Sequence, residues 1–283
     1  MKNDIKKFRF DEYTNLGIMT CFRLIFEELG KSFELGLLFF KRDFLVRYRQ
    51  SFLGLTWALI MPILTTGIFL MLFKSGVITA GEIRVPYAIY AFYGITLWQL
   101  FQASILAIAT TTSAGKSLMV TVSVPRFALF YPPLLTVLTD FAIRLTFLAI
   151  LLFFMKIPVS PFLFLPAAVF ALPLIVLGAG IGLFLSIINS AVRDIANLLH
   201  TGLQFLMFLS PVVYPVMDRA GWLGKVARLN PLTYLLETSR SLLFQGEFTF
   251  PIQYGLFTIL SAALLLCGLR FYYLSISRVL EVA

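Results

Sequence analysis

Gly115-Lys116-Ser117 carries the ending of a phosphate-binding P-loop, a motif whose backbone N–H groups and lysine cradle phosphates. The full pattern needs a further glycine five residues before Gly115, and Thr110 stands there. Gly178-Ala179-Gly180-Ile181-Gly182 fails the dinucleotide pattern in the same way, because Leu183 occupies the place of the last glycine. It does satisfy GxxxG, a spacing that lets helix backbones approach closely. Asp140 and Arg144 lie four apart, on one face of a helix. A lone charge at mid-membrane costs about 2.5–3.5 kcal/mol, so the two are read as an intramembrane ion pair or as part of a proton or substrate pathway. His200 is the only histidine, and Cys21 and Cys267 lie far apart without metal-ligand spacing. A Ser/His/Asp set, a pair of facing carboxylates and an Asp-rich Mg²⁺ motif are all missing. These residues predict neither a catalytic centre nor a metal or cofactor held by this chain.

The elements that carry these residues follow from composition. Of 283 residues, 59% are hydrophobic and only 13% charged, against about 45–50% and 25% in soluble domains. That excludes a soluble enzyme, a disordered chain and a disulfide scaffold, and it predicts an all-α polytopic membrane protein. A crossing needs about 20 apolar residues. Six segments qualify: Ser51–Phe73, Tyr87–Ala109, Pro133–Met155, Phe162–Ile188, Ile195–Tyr214 and Phe250–Leu269. The net charge of +9 gathers before the first of them, in residues such as Lys31, Lys41, Arg42, Arg47 and Arg49. Positive residues there mark the cytoplasmic side and argue against nucleic acid as a partner. With six spans both termini are cytoplasmic. The external segments then hold fewer basic residues: Lys74, Arg84, Lys156, Arg219, Lys225, Arg228 and Arg240. Residues 1–17 mix acidic and basic types and do not read as a signal peptide.

Two further helical elements flank the spans. In Phe33–Ser51, Phe33, Leu37, Phe40, Phe44 and Tyr48 recur at helical spacing opposite Arg42 and Arg49, as in a helix lying at the membrane interface. Residues 1–50 are therefore read as a cytoplasmic region with an interface helix, and 51–283 as a six-span domain. The long external stretch at about 216–249 predicts a hairpin of two helices. The second starts at Asn230-Pro231, an N-cap followed by proline, and ends at Gly246. Such a hairpin lies on the membrane surface or re-enters it.

Arg47-Tyr48-Arg49-Gln50-Ser51-Phe52-Leu53-Gly54-Leu55-Thr56-Trp57, with Pro62 beyond, resembles the approach to the first span in the ABC-2 family of ABC-transporter permeases. The likeness is to the branch exporting O-antigen polysaccharide, capsule and teichoic acid. Three more features agree in order: Arg193-Asp194, Ser210-Pro211-Val212-Val213-Tyr214-Pro215 and Asn230-Pro231-Leu232-Thr233-Tyr234. The resemblance covers roughly Phe33 to the C-terminus.

It implies a transporter subunit in a bacterial cytoplasmic (inner) membrane, pairing as a homodimer and binding two separate ATP-binding cassette subunits that use ATP and Mg²⁺. Loops Lys116–Arg126 and Ala191–Asn197 would dock on those ATPases, making Lys116, Arg126, Arg193 and Asp194 the coupling candidates. The implied substrate is a glycan on a polyprenyl diphosphate, which Arg42, Arg47 and Arg49 would meet; anionic lipid headgroups are the equal alternative. Sugars present apolar faces to aromatic rings. The candidate channel lining is Trp57, Phe69 and Phe73 in span one, Tyr90, Trp98 and Phe101 in span two, and Phe205, Phe208 and Tyr214 in span five. Trp222, Asn230, Pro231 and Tyr234 are the external gate candidates. The rival readings are an exporter of drugs or small lipids and a lipid-handling membrane enzyme.

Overall fold

The computed structural model describes residues 17–49, 54–78, 83–121, 124–192, 194–215 and 222–281. Nine α-helices are present among them: α1 Ile18–Arg49, α2 Trp57–Lys74, α3 Tyr87–Thr121, α4 Tyr131–Phe154, α5 Phe164–Ala191, α6 Ile195–Leu209, α7 Trp222–Leu229, α8 Pro231–Gln245 and α9 Pro251–Glu281.

The centre of the bundle is the α3–α5 pair, with α9 on the other side of α5. Small residues make this layering possible. A Cβ on Gly178 would come within 2.9 Å of the Phe101 carbonyl oxygen, and one on Gly182 within 2.9 Å of the Ile105 oxygen, both on α3. A Cβ on Gly180 would meet the α9 backbone at Leu265 at 2.9 Å. The three glycines thus serve two neighbours: the ends of the GxxxG face α3 and its middle faces α9. Asn189 closes the contact by donating to the Ala109 carbonyl (3.2 Å) and the Ser113 hydroxyl (3.0 Å). α2 and α4 flank α3, and α1 lies along α4.

Among the described residues five helices, rather than the six the sequence predicts, are long and apolar enough to cross a membrane: α2, the Tyr87–Gly115 part of α3, α4, Pro161–Ala191 and the Pro251–Ile276 part of α9. The exception is α6, whose 15 residues span about 22 Å at 1.5 Å each, short of a hydrocarbon core of about 30 Å. It stops at Ser210, where Pro211 cannot continue the helix, and residues 210–214 proceed as buried irregular backbone. The interface helix also begins earlier than predicted, at Ile18. The continuation of α3 to Thr121 makes Lys116 helical rather than part of a loop.

The predicted hairpin exists as α7 and α8. The Asn230 side chain accepts from the Leu232 N–H (3.0 Å), and Gly246 ends α8 with φ of 70°. However, α8 is not a surface helix. It packs against α5, α9 and α3, burying Leu232, Leu235, Leu236 and Leu243.

Candidate functional site

At one end of the bundle, α1 docks on α4 and α9. Gly36 lies flat on Tyr131, where a Cβ would come within 2.6 Å of the Tyr131 side chain. The Tyr131 hydroxyl donates to the Leu29 carbonyl (2.9 Å), and Phe33 meets the Tyr131 ring edge-on at 5.5 Å. Arg126 joins three segments. Its backbone N–H donates to the Glu28 carboxylate of α1 (2.9 Å), while its guanidinium donates to the Tyr273 carbonyl of α9 (3.3 Å) and lies over the Tyr273 ring at 5.3 Å.

Asp140 and Arg144 do not form the ion pair predicted from their spacing. Asp140 pairs with Arg47 of α1 at 3.3 Å, and Arg144 Nε donates to the Ala58 carbonyl of α2 at 3.0 Å. The cause is Pro62. Four residues after Ala58, it has no N–H to give, so the Ala58 carbonyl lacks its helical partner and Arg144 supplies one. Two residues one turn apart on α4 thereby hold two different helices.

At the opposite end the break after α6 is organised around Arg240. The positive-inside reading places this residue outside on an external segment, yet it is 1% exposed. Its guanidinium donates to the Pro211 carbonyl (3.2 Å), the Val212 carbonyl (2.6 Å), the Tyr90 hydroxyl (2.5 Å) and the Glu237 carboxylate (3.0 Å). Irregular backbone at membrane depth must be satisfied by protein or water, and here one arginine satisfies it. Gly94 of α3 permits the approach, since a Cβ there would run into the Val212 carbonyl oxygen. Alongside, the Tyr93 and Ser239 hydroxyls share a hydrogen bond of 2.8 Å, and Ser239 donates to the Ala167 carbonyl. The Asn230 amide donates to Ser210 Oγ at 2.8 Å, linking the start of α8 to the same break. The sequence signals for this cluster are the Ser210–Pro215 motif and the spacing of Glu237 and Arg240 among leucines.

The nine candidate aromatics separate sharply. Phe69, Tyr90, Trp98, Phe101 and Tyr214 are buried within the single chain, and Phe73 is half-buried, stacked on Tyr87 at 4.2 Å. Their rings belong to the packing of α2, α3 and the α6 break. Trp57, Phe205 and Phe208 are exposed, on α2 and α6. Those two helices meet through Phe69 and Phe208, 6.2 Å apart.

The sequence profile of the ABC-2 type transporter matches residues 35–244, which takes in the last 15 residues of α1, all of α2 to α7, and α8 but for its final residue. The chain belongs to this family. Two O-antigen export system permease proteins RfbA from Klebsiella pneumoniae are similar to it. One is 24% identical over 232 residues, 78% of this chain and 85% of that protein. The other is 23% identical over 228 residues, 77% and 83%. A third, from Myxococcus xanthus, is 25% identical over 209 residues, 72% and 78%. The relationship to these O-antigen permeases is distant.

This ABC-2 permease is therefore a multi-pass transporter subunit without a nucleotide-binding domain, and ATP is used by a separate subunit in such systems. The positions considered for ATPase coupling gather at the end that carries α1. Lys116 is near the end of α3, its side chain outside the described residues, and Arg126 is held as above. Asp194 is exposed at the start of α6 without capping it through its side chain, and Arg193 lies outside the described residues. Arg42 contacts Asp43 at 2.8 Å and lies over Phe39. It borders a groove of about 360 Å³ between α1, α3 and α4. The side chains of Arg49 and Trp222 lie outside the described residues. Pro231 opens α8, and Tyr234 donates to the Arg228 carbonyl (2.7 Å) and stacks on Phe257 at 5.3 Å.

Proposed function

We propose that this permease forms half of the membrane channel of an ATP-driven exporter. Its cargo would be a polyprenyl-diphosphate-linked polysaccharide, of the O-antigen, capsule or teichoic acid type, leaving across the inner membrane of a bacterium. Two copies pair, each binds an ATP-binding cassette subunit, and both termini are cytoplasmic, which requires α6 together with the irregular residues 210–214 to complete a sixth crossing. The observation that carries the cargo is the likeness to O-antigen export permeases across 72–78% of the chain. The geometry is compatible: the open faces of α2 and α6 offer Trp57, Phe205 and Phe208, which a second copy would turn into a wall. Such rings stack on the apolar faces of sugars and slide past them. The Arg42 and Arg47 guanidinia remain partly open, suited to receiving a diphosphate at the inner leaflet.

Deletion of the gene, followed by electrophoresis of surface glycan, tests the reading. The expected outcome is loss of surface glycan with lipid-linked glycan accumulating inside, restored only when the permease and its ATP-binding subunit are both supplied. Unchanged glycan together with new sensitivity to amphiphilic drugs would assign the permease to small-molecule export instead.

A further inference from the structure

A groove of about 850 Å³ lies between the end of α4 and the start of α5. Leu145, Ala149 and Leu152 line it from α4, and Phe164 and Ala168 from α5. The small side chains of Ala149 and Ala168 keep it open. Its length along α4, from Leu145 to Lys156, is about 16 Å at 1.5 Å per residue. That is about one leaflet of a hydrocarbon core of roughly 30 Å.

Lys156 stands at the mouth of the groove, exposed, and enters no ion pair among the described residues. Its backbone is unusual. Helix α4 ends with Lys156 N–H donating to the Phe153 carbonyl (3.2 Å) and Ile157 N–H to the Leu152 carbonyl (3.1 Å), and Lys156 itself has φ of 53°. Glycine normally occupies this left-handed position, as Gly246 does at the end of α8. A lysine there carries a steric cost that glycine would avoid.

We propose that this groove is a binding site for an anionic glycerophospholipid, with an acyl chain along Leu145–Leu152 and the phosphate received by Lys156. An apolar trough one leaflet deep with a single cation at its rim has the shape and charge of such a lipid. A zwitterionic lipid fills the trough equally well but brings a cation of its own beside the ammonium.

The test is native mass spectrometry of the full chain purified with its ATP-binding subunit, exposed to phosphatidylglycerol or to phosphatidylcholine with the same acyl chains. The wild-type permease is expected to retain phosphatidylglycerol about fivefold better, the factor for one lysine at a charged lipid surface. Lys156→Gln should erase that preference, and Ala149→Phe should reduce retention of both lipids. Ala149→Leu serves if the phenylalanine variant is misfolded. Retention of phosphatidylglycerol by Lys156→Gln at the wild-type level would overturn the proposal, leaving Lys156 a lysine that merely reaches for the water. A disulfide between two Ala149→Cys chains would overturn it too, by showing that a second copy covers the groove. None of these readings involves a transported glycan, so the cargo assignment and the lipid site fail separately.

Discussion

Replacing Arg240 by methionine removes the donor shared by the Glu237 carboxylate, the Tyr90 hydroxyl and the carbonyls of Pro211 and Val212. Breaking a buried, hydrogen-bonded charge pair costs about 3–5 kcal/mol. The expected outcome of Arg240→Met is a large fall in the thermal unfolding midpoint of the detergent-purified permease. Adding Glu237→Gln should recover part of it, because no carboxylate then stays buried without a counter-charge. Arg240→Lys should be intermediate, since an ammonium keeps the charge but cannot reach both carbonyls in one plane. A double variant as damaged as the sum of the single ones would contradict this account. At the residue scale, charge in the sequence was the least legible property. Spacing reveals only neighbours on one helix, so it offers Arg144 to Asp140 and says nothing of the carbonyls that Arg240 reaches. The partners that matter, Val212 for Arg240 and Arg47 for Asp140, are distant in the chain.

Helices and their ends were far more legible, since their signals are local. Asn230, Pro231 and Gly246 bound α8 where the capping pattern predicts. The GxxxG in α5 correctly predicted close helix packing, although its central Gly180 turns to another helix. What local signals missed was α6. An apolar run from Ile195 to Tyr214 meets the composition of a span, but Pro211 halts the helix, and the freed carbonyls find Arg240, a partner distant in the chain. The glycines give a graded prediction. Gly182→Leu should prevent α3 and α5 from closing and abolish monodisperse protein on size-exclusion chromatography. Gly67→Ala, at a position with nothing within 4 Å, should leave the elution profile unchanged and gain slightly in helix propensity. Equal damage from both would remove packing as the cause.

For the whole molecule, composition established the membrane and ordered motifs indicated the ABC-2 family, which the profile match across residues 35–244 bears out. Which aromatics remain open could not be read from one dimension, because burial belongs to the assembled bundle. Trp57, Phe205 and Phe208 are exposed and Trp98 and Phe101 are enclosed, though all five sit in similarly apolar runs. If two copies pair through α2 and α6, Phe205→Cys should form a disulfide-linked dimer in membranes under mild oxidation. Val169→Cys, exposed on α5, should remain monomeric on the same gel. The reverse pattern would move the dimer contact to α5.

The two arginine contacts of α4 carry a mechanical consequence. Asp140 grips α1 through Arg47, and Arg144 grips the first turn of α2 through the carbonyl that Pro62 leaves open. The start of α2 is thereby held to α4 by that donor. α1 and α2 are thus tied to a common strut, one tie a half-exposed ion pair that solvent weakens and the other a hydrogen bond standing in for a missing amide hydrogen.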